Sequence, residues 1–198
     1  YNAALGRPEK RKIISRKKGY HGVTIVAASM TALAYAQDGF GLPLDFVKHT
    51  GAPDFYNEAL PNESEESFAN RCAIDLEELI LEEGPESVAA LFAEPVMGAG
   101  GVIIPPKTYF EKIRAVLKKY DVLLVADEVI CGFGRTGNMW GSQTMDVYPD
   151  ILTCAKALSS AYLPISAVML SEKVYAPIAK QAGHMGVFGH GYLSLIHI

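Results

Sequence analysis

The chain has 198 residues, enough for one domain with a substantial core, and its 49% hydrophobic and 20% charged residues exclude a disordered or fibrous polypeptide. A formal net charge of −4 argues against nucleic acid or an anionic membrane as the main partner. Three cysteines, Cys72, Cys131 and Cys154, show no CxxC spacing and point to free thiols in a reducing, cytoplasmic setting, while no apolar run spans a bilayer and no signal peptide opens the chain.

Tyr1–Leu5 reads as the last turns of a helix closed by Gly6 and Pro8. The basic run Lys10–Arg11–Lys12, with Arg16–Lys18, flanks a short strand over Lys12–Ser15 and reads as a solvated strand end, since no wider basic face accompanies it. Gly19–Gly22 is a turn with two ring residues, Tyr20 and His21, between glycines. Alanine and helix formers predict one helix over Thr24–Tyr35. Asp38–Asn62 has no clear period and six Gly or Pro residues, so it reads as an irregular excursion with a functional or interface role.

From Ser64 to Glu83 the pattern is an amphipathic helix, with Phe68, Cys72, Leu76, Leu79 and Ile80 on one stripe and Gly84-Pro85 as its stop. Val88–Ala93 is a buried strand ended by Glu94. Gly98–Gly101 is a flexible loop, and Lys107–Tyr120 a helix with Pro106 suited to its first turn. The apolar run from Val122 to Ala126 is a strand buried on both faces, ending in Asp127 and Glu128. Asp150–Cys154 and Ser166–Leu170 are further strands, and Val174–Gln181 a helix. The alternation predicts an α/β domain, a mostly parallel sheet with flanking helices.

Glu94, Asp127 and Lys156 each follow an apolar strand. Singly, each reads as a solvated strand end. On parallel strands all three reach one sheet edge, where open α/β sheets bind ligands. Lys156 stands among small and apolar residues with no adjacent acid, so partial desolvation would disfavour its charge and favour a nucleophilic amine; the alternative is a lysine that snorkels to the surface. A carboxylate such as Asp127 facing a pyridine nitrogen keeps that nitrogen protonated, and the charged ring then stabilises a carbanion. A lysine and an aspartate on neighbouring strand ends, with Tyr20 or His21 to stack on the ring, would make a pyridoxal 5'-phosphate site. Spacing alone does not establish it. Gly132–Gly137 spells GxGxxG, but two acids intervene after the apolar run, no convincing helix opens on it and no acid lies near position 157, which leaves a nicotinamide site poorly supported. No metal-ligand spacing is present.

Four segments in order, Gly19–Gly22, Ala93–Pro106, Leu124–Gly137 and Ala155–Ala167, resemble the class III aminotransferases, pyridoxal-phosphate enzymes of fold type I, and among them the omega-amino acid or amine–pyruvate transaminase branch. The resemblance runs from residue 1 to about 192. It implies that Lys156 forms the Schiff base with the cofactor, that Asp127 partners the pyridine nitrogen, and that Val129 and Tyr20 pack on the two ring faces. Glu94 would lie near the cofactor's edge, paired in some members with an arginine from the C-terminal segment. His21 belongs to the motif without a firm role. The implied reaction moves an amino group from a small-molecule donor to a keto acid such as pyruvate, in a homodimer when full length. Against the family pattern, residues 1–192 make a partial large domain, with the phosphate-binding part expected before residue 1 and the small domain absent. Leu193–Ile198 departs from the motif and reads as foreign or mis-joined sequence. The alternatives are an aminomutase of the same family and an inactive truncated fragment that holds the cofactor poorly.

Overall fold

The apolar run ending in Asp127 folds as β4 (Leu123–Asp127), every residue of it buried. In the computed structural model, which describes residues 1–185, it sits inside a six-stranded sheet. The other strands are β1 (Lys12–Arg16), β2 (Val47–Thr50), β3 (Val88–Ala93), β5 (Ile151–Cys154) and β6 (Ala167–Leu170), in the order β2-β1-β3-β4-β5-β6. All pairs are parallel except β5 with β6. Among the described residues no helix is long and apolar enough to cross a membrane.

Both faces of β4 are covered, as its unbroken apolar pattern requires. Leu124 joins Ile14, Leu91 and the stripes of α4 (Glu65–Glu83) and α5 (Tyr109–Lys119) in the main core, while Leu123 and Val125 meet Val174 of α7 (Glu172–Met185) on the other face. α4 starts where Ser64 accepts a hydrogen bond from the Ser67 N–H at 3.1 Å, with Glu65 and Glu66 favourably placed in the first turn. It stops at Gly84, whose φ of +85° suits glycine. In α5, Lys118 and Lys119 occupy the last turn, where cations favour the helix dipole.

Three sequence expectations are revised. The single helix over Thr24–Tyr35 is two, α1 (Ile25–Met30) and α2 (Ala34–Gln37). Thr31 leaves the helix because its hydroxyl is engaged by the His21 N–H and the Gly22 carbonyl, and Gln37 Nε2 donates to the carbonyls of Ala28 and Ser29 near the end of α1. The excursion Asp38–Asn62 contains β2 and a short helix, α3 (Phe55–Glu58). β2 is an edge strand whose register is set by β1, Ile13 opposite Val47, so four residues without periodicity suffice. The basic run is solvated only in part: Arg11 and Lys17 are exposed as expected, but Lys10 and Arg16 are buried. Lys10 is 4% exposed and its Nζ donates to the Pro85 and Tyr120 carbonyls, just beyond α4 and α5; Arg16 is 1% exposed.

Gly98–Gly101, expected to be flexible, is closed by paired backbone bonds between Met97 and Ile103. Gly100 lies so near the turn after β1 that a Cβ on it would clash with the Lys18 carbonyl oxygen. The sequence Gly132–Gly137 forms turns followed only by α6 (Gly141–Thr144), not the strand-to-helix junction of a dinucleotide fingerprint. Residues 193–198 lie outside the described residues.

Candidate active site

Parallel pairing brings the ends of β3, β4 and β5 to one edge. Ala93 is level with Ala126, and Asp127 with Thr153, so Glu94 and Asp127 end adjacent strands side by side and Lys156 follows three residues beyond Thr153. This is the edge at which open α/β sheets place ligands.

Asp127 is 7% exposed and each of its oxygens has one protein partner. Oδ1 accepts from the Val129 N–H at 3.1 Å, and Oδ2 lies 2.8 Å from His21 Nδ1. Two acceptor oxygens carry about four lone-pair sites, so the carboxylate keeps capacity for a further donor. Val129 and Tyr20 are both half-buried. The Tyr20 N–H donates to Glu94 Oε1 at 3.2 Å, which ties the aromatic turn to the end of β3.

Glu94 is 3% exposed and, like Asp127, has one donor on each oxygen, here both backbone N–H groups. Besides Tyr20, its Oε2 accepts from the Gly98 N–H at 2.8 Å. Arg16 Nη2 donates to the Glu94 carbonyl, holding the strand end from behind. Glu94 therefore clamps two loops at the sheet edge. Beside it a cleft opens between the excursion and the glycine loop, lined by Lys18, Asp54, Asn57, Gly101 and Ile104. Lys18 crosses the excursion's side of that cleft, paired with Asp54 at 2.7 Å and Glu58 at 2.9 Å.

Lys156 differs from expectation. It is exposed, at the start of a short 3-10 turn (Lys156–Leu158), and among the described residues its Nζ has no hydrogen bond or ion pair. The apolar neighbours that were to desolvate it do not cover it: Tyr162 and Leu163 are themselves 89% and 70% exposed. Its φ of +45° is a left-handed conformation that non-glycine residues seldom adopt and that concentrates at functional sites.

Glu128, next to Asp127, plays a different part. It is fully buried and its two oxygens accept from the Gly141 and Ser142 N–H groups at 2.8 and 2.7 Å, pinning the turn that follows Gly132–Gly137. Sequence reasoning offers His21 only as an alternative stacking ring with no firm role, takes Arg16 for part of a solvated strand end, and gives Thr31 no part in the site. The paired glycines around Tyr20 and His21 were the signal available for His21; Thr31 offers none, because only folding brings α1 back over the turn. Among the described residues no group of three His, Cys, Asp or Glu could hold a metal ion.

The donor set fits a pyridine-ring cofactor. A buried carboxylate with spare acceptor capacity ends β4, a half-buried aliphatic residue, Val129, follows it, the half-buried aromatic Tyr20 is tied to the neighbouring strand end, and an amine stands near the end of β5.

Comparison with known proteins gives the same reading from an independent side. The family model "Aminotransferase class-III" matches residues 1–192. Gamma aminobutyrate transaminase 1, mitochondrial, from Solanum lycopersicum is 56% identical over 192 residues, covering 97% of this chain and 37% of that protein. Among solved structures, the omega transaminase from Pseudomonas jessenii in complex with PMP superposes with a TM-score of 0.93 at 56% identity, covering 96% of this chain and 42% of that one. A transaminase with L-ala is 63% identical with a TM-score of 0.88, covering 90% and 41%. The chain spans about two fifths of the length of these relatives, and within that span it belongs to the class-III aminotransferase family.

Proposed function

We propose that this chain is the cofactor-binding part of a pyridoxal-phosphate-dependent aminotransferase that moves an amino group from an omega-amino acid or amine to a keto acid such as pyruvate. The observation that carries the reading is the buried Asp127 carboxylate at the sheet edge, held on both oxygens yet able to accept one more donor. When bound, the cofactor supplies a protonated pyridine ring that stabilises negative charge on the donor carbon. Asp127 holds the proton on the ring nitrogen. Val129 and Tyr20 would hold the ring from its two faces, and Glu94 keeps Tyr20 in place through the Tyr20 backbone N–H. Lys156 would hold the cofactor through its Nζ, and as a free amine it would serve as the base that takes a proton from the donor carbon.

The related gamma-aminobutyrate transaminases make gamma-aminobutyrate the first donor to test, with pyruvate as acceptor. In the whole protein to which this chain belongs, Lys156→Ala is expected to abolish covalent retention of the cofactor and all turnover; full activity in that variant overturns the reading. Donor consumption that does not depend on a keto acid would assign an aminomutase reaction instead. The reading includes a homodimer, supported by the exposed apolar residues Tyr56, Val102 and Ile104 around the cleft and tested by sedimentation. It also includes a reducing compartment, supported by three free, buried cysteines; cell fractionation tests whether that compartment is the cytoplasm.

A further inference from the structure

We propose that Arg16 is a positioning residue, which braces the turn carrying Tyr20 against the end of β3 and so sets the face that Tyr20 offers to the cofactor ring; the inference rests on the function proposed above. Arg16 ends β1 and is 1% exposed. Its Nη2 donates to the Glu94 carbonyl, and the guanidinium lies over the Tyr109 ring with Cζ 5.9 Å from the centroid. Nε and Nη1 have no hydrogen-bond partner, so among the described residues this buried cation has no carboxylate to pair with. Desolvating a charge without an opposite one is costly, and a methionine would fill much of the same space without that cost. A residue that only filled the core would not carry the charge.

What the charge holds is a two-way brace. Arg16 grips the main chain of Glu94, while the Glu94 carboxylate reaches back to the Tyr20 N–H at 3.2 Å. Arg16 and Tyr20 belong to one turn, closed by the Gly19 N–H on the Arg16 carbonyl at 3.0 Å. The three bonds make a closed circuit between two strand ends 78 positions apart in the chain, so the turn cannot slide along β3 without breaking one of them. The second Glu94 oxygen, on the Gly98 N–H at 2.8 Å, keeps the carboxylate from rotating away from Tyr20. On the other side of β1, the Lys17 N–H donates to the Thr50 carbonyl at 2.9 Å, which fixes where the strand ends and the turn begins. Arg16 thus acts on the cofactor only through Glu94 and Tyr20.

The test measures the affinity of the whole protein for pyridoxamine 5'-phosphate, which forms no covalent bond to Lys156 and so reports the contacts around the ring. Arg16→Met is expected to weaken binding about ten-fold, the loss of one hydrogen bond from a charged group, and Arg16→Lys, which keeps a charged donor for the Glu94 carbonyl, to recover most of that loss. In a Tyr20→Ala background the same Arg16→Met change is expected to weaken binding by less than about two-fold, because residues of one network do not act additively. Equal weakening in both backgrounds makes Arg16 a structural residue only and overturns the inference, as does an unchanged affinity in Arg16→Met alone. If Arg16→Met does not fold, Glu94→Gln opens the other limb of the brace, since an amide accepts on its oxygen alone. The same dependence on Tyr20 is expected there, and a loss independent of Tyr20 overturns the inference equally. Failure of the unaltered protein to bind pyridoxamine phosphate would instead overturn the proposed function, which separates the two ideas.

Discussion

At the level of single residues, the fold is defined by how it treats its buried polar groups. Asp127 and Glu128 are adjacent acids with different partners: one is held at the sheet edge by His21 and the Val129 N–H, the other by two backbone N–H groups of α6. Burial pushes the Cys72 thiol up to about 12 and the Cys131 thiol to about 11, so both stay protonated and neither is a nucleophile. Glu63 moves the other way. Hydrogen bonds from Arg71 Nε and Nη2, then one from the Leu60 N–H, pull its carboxyl from 4.5 to about 2. A folded value below the unfolded one stabilises the protein above about pH 4.5 and is lost as pH falls through about 2. Acid unfolding should therefore show Glu63→Gln less stable than the parent near neutral pH, with the difference closing as the pH approaches 2. An equal difference at both pH values would contradict this origin.

At the level of elements, the long amphipathic pieces were legible and the short ones were not. The stripe of α4, its serine cap and its glycine stop are all local features, and the element runs where they place it, Glu65–Glu83. Ser64→Ala is accordingly expected to lower stability by about 1 kcal/mol, measured by chemical denaturation; no change would mean that the cap bond contributes nothing. β2 and α3 were missed because four residues carry no usable period, and what makes β2 a strand is the free edge of β1. The break between α1 and α2 was missed for a related reason. A local reading sees alanines and helix formers through position 35, whereas the chain bends where Thr31 is drawn to the His21 turn. The Gly98–Gly101 loop shows the same limit: its glycines suggest freedom, but here they permit contact with the Lys18 backbone.

At the level of the whole molecule, two helices on one face of the sheet and one on the other enclose β4. Leu76, 1% exposed in the main core, is central to that packing, and Leu76→Ala is expected to cost about 2–5 kcal/mol in denaturation experiments. A loss well below 1 kcal/mol would mean that the helix layer is not packed as described. The sequence alone determined the class of fold, because continuous apolar strands alternating with amphipathic helices have one common solution, a covered parallel sheet. It also singled out Asp127, Glu94 and Lys156, since chemistry-bearing residues after such strands reach one edge. Only the tertiary structure decided their surroundings. Asp127 is held by His21 and Val129, Glu94 by two backbone amides, and Lys156 stands exposed because no described segment folds over it. The physical reason is range: strand and helix patterns are written in neighbouring residues, whereas the partners of a buried charge come from residues far apart in the chain, 106 positions in the case of His21 and Asp127, and only the sheet brings them within hydrogen-bonding distance.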